Sequence, residues 1–279
     1  MSREVSQEMM EMFITKLYSD EKSENTISKY QHDIRQFFEF SKGKEICKVL
    51  VMEYKAFLSS KYAVSSVNSM LAALNSFLKF CDWDDCCVKP FKVQKRIFCS
   101  EEQELTKAEY VRLVETAKKS GNERMYFILQ TICGTGIRVS ELQYITVEAV
   151  RNGEAIVNCK GKTRVVIIVK ALQKRLLNYI KCHKRESGAV FVTRTGKPIN
   201  RTNVWREMKG LCERAQVKAE KVFPHNLRHL FARVFYKIEK DIVKLADILG
   251  HTSINTTRIY MMTTSGEHRH RMEQMHLII

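Results

Sequence analysis

TISKYQHDIRQFFEF, residues 26–40, puts Ile27, Tyr30, Ile34, Phe37 and Phe38 on one face at the spacing of an α-helix, with Asn25 as its expected N-cap. SSVNSMLAALNSFLKFC, residues 65–81, repeats the pattern through Val67, Leu71, Leu74 and Leu78. Upstream, Phe13 and Leu17 mark one further helix, and Tyr54, Phe57 and Leu58 mark another. The first 88 residues therefore read as a helical bundle whose aromatic stripe is core. The periodicity breaks between Asp82 and Gln103, where Pro90, the basic Lys92, Lys95 and Arg96 and the acidic Glu101 and Glu102 follow one another. That composition marks a linker at 89–104. A new helix then opens at Thr106, with Glu109 three residues later in a capping-box arrangement. At 150–170 the pattern changes once more. Ala155–Asn158 and Arg164–Val169 are β-rich runs separated by Lys160-Gly161-Lys162, which predicts a hairpin. The chain is thus expected to be mainly α with a small β-hairpin, in two domains.

Composition narrows the function. The chain has only 3 Pro and 11 Gly in 279 residues, which favours long helices over a sandwich or barrel. No apolar run reaches the roughly 18 residues of a membrane span, and MSREVSQEMMEMF lacks the apolar core of a secretory signal. We therefore expect a cytoplasmic protein. The net charge of +16 is unevenly placed: residues 1–100 carry 15 Lys+Arg against 13 Asp+Glu, and residues 101–279 carry 32 against 18. A polyanion is the usual partner of such a surface, although a solubilising role explains charge alone equally well. Nine cysteines, an odd number, include no C-x-x-C pair. Cys81, Cys86 and Cys87 cluster with Asp82, Asp84 and Asp85, but no histidine lies beside them. Reduced structural thiols are the expectation, not a metal site.

Three segments of the basic half carry chemistry: Gly134-Thr135-Gly136-Ile137-Arg138-Val139-Ser140-Glu141, Pro224-His225-Asn226-Leu227-Arg228-His229, and Leu249-Gly250-His251 followed nine residues later by Tyr260. With Lys160 on the hairpin, this ordered set resembles the catalytic set of the tyrosine recombinases, the family of phage integrases and Xer-type resolvases. The resemblance runs from about residue 105 to 265.

The residue types agree with that chemistry. Attack on a phosphodiester builds charge on two non-bridging oxygens, and guanidiniums, planar and permanently charged, neutralise it well. Arg138 and Arg228 are the candidates. Arg138 follows a Gly-Thr-Gly turn where a helix is expected to start, and Glu141 resembles the family's acidic orienting residue. An isolated arginine is more often a surface ion-pair partner; the four-part match reverses that preference. His225, three residues before Arg228, can donate to the phosphate or move a proton, and His251 can bond the same phosphate from another side. His229 is read as a structural group. His225 and His229 have a metal-ligand spacing but lack the H-E-x-x-H signature, so no zinc is expected.

The resemblance makes Lys160 the general acid for the leaving 5′ oxygen, with Lys162 two residues away as the alternative, and makes Tyr260 the nucleophile. Forming a phenolate at pH 7 from a phenol of ordinary pKa costs roughly 4 kcal/mol, which a field of arginines and histidines would reduce. Tyr126, Tyr144 and Tyr236 compete, and are read as packing residues.

The resemblance further implies a helical core-binding domain at 1–88, a catalytic domain at 105–265 and a tail at 266–279 that packs on a neighbouring protomer. It implies a clamp around double-stranded DNA with paired inverted sites, a dimer on each site and a tetramer in the synapse. Strands would exchange through a 3′-phosphotyrosyl intermediate and a Holliday junction with no cofactor, metal or ATP. An accessory protein or partner recombinase is compatible with this scheme. The first domain is only weakly basic, so DNA contact there is expected from one helix face near Lys79, and no arm-binding domain is expected before it. A type IB-like topoisomerase, a non-catalytic DNA-binding protein on the same fold and a metal-dependent nuclease are the rival readings.

Overall fold

The computed structural model describes residues 3, 4, 6–92, 104–159, 162–260, 269 and 272–275. The chain divides into two units, Met1–Lys95 and Arg96–Ile279.

The first unit is built from α1 (Gln7–Ser19), α2 (Glu24–Ser41), α3 (Lys48–Lys61) and α4 (Val64–Phe80). The α2 helix starts ahead of the expected cap, at Glu24. Ser23, in extended backbone, caps it by accepting from the Thr26 amide. A hydroxyl just outside the first turn reaches that amide, which leaves Asn25 inside the helix. The apolar stripes meet in two clusters, Met10, Phe13, Leu17, Ile27, Ile34 and Phe77 in one, and Phe37, Tyr54, Leu58, Leu71, Leu74 and Leu78 among the other. Each fully buried Leu, Ile or Phe contributes about 1.5–3 kcal/mol. Phe57 departs from the core expectation. It lies exposed on α3, its ring centroid 4.2 Å from the Lys61 ammonium. The chain that leaves α4 is held as if in a strand: the Asn75 side chain bonds both the amide (3.0 Å) and the carbonyl (2.8 Å) of Val88. Asn68 does the same for Phe91.

The second unit opens with α5 (Lys107–Lys119), whose capping box forms as expected, Thr106 Oγ1 accepting from the Glu109 amide at 3.2 Å and Glu109 accepting from the Thr106 amide at 2.8 Å. Then follow α6 (Glu123–Thr135), a 3-10 turn Val139–Tyr144, α7 (Val147–Asn152), β1 (Glu154–Cys159), β2 (Lys162–Ile167) and α8 (Lys170–Cys182). The chain continues through α9 (Arg201–Lys209), α10 (Cys212–Ala215), α11 (Pro224–Glu239), α12 (Ile242–Leu249) and α13 (Ile254–Tyr260). The apolar α6 is central, packed against α5, α8, α9 and α11. Glu154 pairs with Ile167 and Cys159 with Lys162 in an antiparallel hairpin. Ala155, Val157, Val166 and Ile168 face the core, while Ile156, Val165 and Ile167 face outward, as the two-residue period of a strand requires. Among the described residues no helix is long and apolar enough to cross a membrane.

Candidate DNA-cleavage site

The segment Gly134–Gly136 is the end of α6, not a free turn, and the helix expected after it is the 3-10 turn Val139–Tyr144. Gly136 ends α6 at φ +65°, and a side chain there would meet the Phe231 ring. The left-handed backbone and the lack of space both require glycine. Two residues on, Arg138 heads the 3-10 turn. Its Nη1 donates to Glu141 Oε1 at 2.9 Å and its backbone amide to Glu141 Oε2 at 3.0 Å. Nη2 donates to the Gly250 carbonyl at 3.2 Å. Glu141 is only 2% exposed and also accepts from Arg164 Nη2 at 2.6 Å. Burial pushes the Glu141 carboxyl up. The Arg138 amide and guanidinium, with Arg164, outweigh burial and hold it below its ordinary value.

Pro224 opens α11 at a position where its missing amide hydrogen costs nothing, and this sets His225 and Arg228 on the helix's first turns. Arg228 is 1% exposed. It donates to the carbonyl of Gly136, to that of Leu249 at 2.6 Å, and to His251 Nε2 at 3.0 Å. Burial, then the charge of Arg138, lowers its pKa to about 10, so it remains a cation at neutral pH. Because Arg228 can only donate, His251 Nε2 must accept, and the proton of neutral His251 sits on Nδ1, which donates to Thr257 Oγ1 at 2.8 Å.

Tyr260 is the last residue of α13 and is 5% exposed. Three imidazoles surround it. Its hydroxyl lies 3.3 Å from His225 Nε2. Its ring stacks on His229, centroids 4.1 Å apart at 20°, and lies 5.0 Å from the His251 ring.

Five of the residues singled out from the sequence, Arg138, His225, Arg228, His251 and Tyr260, therefore meet in one cluster. Lys160 lies outside the described residues, as does the side chain of Lys162. The competing tyrosines have other partners: Tyr144 donates to the Asn158 carbonyl at 2.6 Å, Tyr126 accepts from Arg175 at 3.3 Å, and Tyr236 packs against the apolar cluster of Ala232, Leu245, Leu249 and Tyr260. Two further participants escape the sequence pattern. His229, expected to be structural, is the platform under Tyr260. Arg164, which belongs to no motif, holds Glu141. A signal for Arg164 exists: it shares the inward face of β2 with Val166 and Ile168, where an arginine is out of place. Among the described residues no group of three or more His, Cys, Asp or Glu side chains is arranged to hold a metal ion.

Models of two domains match the chain. The phage integrase family model covers residues 103–267, and the phage integrase N-terminal SAM-like domain covers residues 10–84. The chain belongs to the phage integrase family. Among relatives in this family, tyrosine recombinase XerA of Pyrococcus horikoshii is 30% identical over 98% of this chain and 95% of its own length. XerA of Pyrococcus furiosus is 29% identical over 97% and 95%. The crystal structure of XerA recombinase matches with a TM-score of 0.54 at 27% identity, covering 98% of this chain and 99% of its own. A lambda integrase dimer bound to a COC′ core site matches with a TM-score of 0.74, covering 91% and 94%; at 15% identity it shows the shared fold.

The integrase pocket also sets a pH dependence. Burial, with neighbouring positive charge, lowers His229 and His251 to about 4 and also lowers His225. In the unfolded chain these groups titrate near 6.5, so between about 6.5 and 4 the unfolded state binds more protons than the folded one. Their contribution to stability is complete above about pH 6.5 and is lost as pH falls toward 4. The urea midpoint of the DNA-free protein is expected to be flat from about pH 8 to 7 and to fall between about pH 6 and 4.5, with the fall reduced in His229→Phe.

Proposed function

We propose that the chain is a site-specific DNA recombinase acting by transient covalent attachment to DNA. The observation that carries this reading is the gathering of Arg138, Arg228, His225 and His251 around Tyr260, whose hydroxyl meets His225 Nε2 at 3.3 Å. In the first step Tyr260 Oη attacks the scissile phosphorus and the P–O5′ bond breaks, leaving a 3′-phosphotyrosyl bond and a free 5′ hydroxyl. His225 Nε2, 3.3 Å from Oη, is placed to take the tyrosine proton. Arg138 and Arg228 neutralise the non-bridging oxygens. His251 presents an acceptor to Arg228. It can therefore donate to the phosphate only once Arg228 has turned toward the same oxygen and the imidazole proton has moved from Nδ1 to Nε2, with Thr257 Oγ1 then donating to Nδ1. Lys160 protonates the leaving oxygen. The 5′ hydroxyl of the partner duplex then attacks the phosphotyrosyl bond, displacing Tyr260. One phosphoester is exchanged for another, so neither ATP nor a metal is required.

Two such exchanges pass through a Holliday junction. The assembly is a dimer on each double-stranded site and a tetramer in the synapse; lambda integrase, which shares the fold, has been seen as a dimer on a core site and as a tetramer on a Holliday junction. In the first unit, Lys29, His32, Gln36, Ser65, Ser66 and Ser69, together with Asp33, Tyr62 and Met70, line a cleft of mixed character between α2 and α4. That cleft is a second candidate DNA-reading surface beside the region of Lys79. The tail at 266–279, most of which lies outside the described residues, would serve as the contact with a neighbouring protomer, and the protein works in the cytoplasm on the nucleoid.

Sequencing of DNA covalently trapped on the protein, expressed beside its native flanking DNA, tests this. Adducts at defined 3′ phosphates, formed equally well in EDTA, are the expected result. Adducts that vanish in EDTA would favour a metal-dependent nuclease and defeat the reading.

A further inference from the structure

Arg164 has no place in the chemistry above, yet it is densely connected to the groups that do. It projects from the middle of β2 on the core-facing side, opposite Val157. Its Nη2 donates to Glu141 Oε2 at 2.6 Å and its Nη1 to the Ile248 carbonyl at 2.8 Å. The stem occupies the space where a side chain at Gly250 would stand, so that glycine, at φ +64°, is fitted to the arginine. The circuit closes through Arg138, which holds the other oxygen of Glu141 at 2.9 Å and the Gly250 carbonyl at 3.2 Å. Gly250 in turn precedes His251. One strand residue thus ties together the turn that carries Arg138 and the loop that carries His251.

A buried ion pair is weak evidence for stability, since an apolar side chain of similar volume often replaces it without loss. Nor does stability explain why two separate active-site loops should converge on one guanidinium. We infer that Arg164 is a positioning residue of this site, locking the Arg138 turn and the His251 loop to β2 so that both meet a DNA phosphate in fixed register. The inference rests on the recombinase reading given above. Arg164 acts through Arg138 and His251, not on the reacting atoms.

The test is Arg164→Met, which keeps the stem, with Arg164→Lys as the conservative partner. On a duplex carrying the site recovered from wild-type adducts, Arg164→Met should form adducts roughly 100-fold more slowly, because a displacement of about 1 Å at a phosphate site has that cost. Binding to the same duplex should be unchanged, and Arg164→Lys should restore part of the rate through its single contact with Glu141. Combined with Glu141→Gln, the loss should be little greater than in the worse single variant, as expected of residues acting as a unit. Losses that multiply, or near-wild-type cleavage by Arg164→Met, would overturn the inference. Amide hydrogen exchange in the free protein provides an independent check. Glu141, Gly250 and His251 should exchange at least roughly tenfold faster in Arg164→Met, with the amides of α8 unchanged. Unaltered exchange at those three amides would sink the clamp even if the wild type formed no adduct, whereas a wild type without adducts but with the clamp response would count against the recombinase reading alone.

Discussion

Phenylalanine in place of Tyr260 is expected to leave a protein that binds its DNA site and never becomes attached to it. The substitution removes one oxygen and keeps the ring that stacks on His229 at 4.1 Å, so the packing of α13 survives. What is lost is the hydroxyl in contact with His225. Covalent adducts, scored by denaturing electrophoresis after single-turnover reaction, should fall to zero while band-shift affinity is retained. Persisting adducts would show that another residue attacks, and the assignment of the nucleophile would fail.

The second large effect concerns Arg228. Alanine is a poor test, because it strands the buried carbonyls of Gly136 and Leu249, each at about 1–3 kcal/mol, and the fold itself is put at risk. Arg228→Lys retains a cation and can serve one of these carbonyls. It cannot present a planar fork to two carbonyls, His251 and a phosphate. Cleavage should fall roughly 100- to 1,000-fold, the usual cost of losing one donor to the developing charge. Thermal denaturation followed by circular dichroism should show the fold intact. A cleavage rate close to that of the wild type would remove Arg228 from the chemistry and leave it a structural anchor.

Much of the architecture can be read from residue order because it depends on local period. The stripes of Ile27, Ile34 and Phe37 and of Val67, Leu71 and Leu74 fix two helices, and only their burial partners need the structure. Caps are less secure, since neighbouring hydroxyl and amide side chains compete for the same amide; Ser23 prevails over Asn25 by reaching Thr26 from outside the helix. Phe57 lies outside the core because period alone does not distinguish a core aromatic from one that an adjacent Lys61 covers. In the site, Arg138, Arg228, His225, His251 and Tyr260 are visible through their ordered spacing. Arg164 is not, because its meaning depends on the register of β2 against β1, which sets it facing inward beside Glu141. His229 is hidden by a different ambiguity. A histidine four residues after another suggests a ligand pair, and only the return of α13 shows that its partner is a phenol ring.

The depressed imidazoles have a consequence for control. At neutral pH His225, His229 and His251 are largely uncharged and Arg228 keeps its charge. The electrical character of the pocket is then set by the buried guanidinium of Arg228 and the carboxylate of Glu141, neither of which changes state near neutral pH. Among these residues, ordinary swings in acidity about neutrality change little. The decision to cut falls instead to geometry, to whether a phosphate has been delivered and its companions assembled.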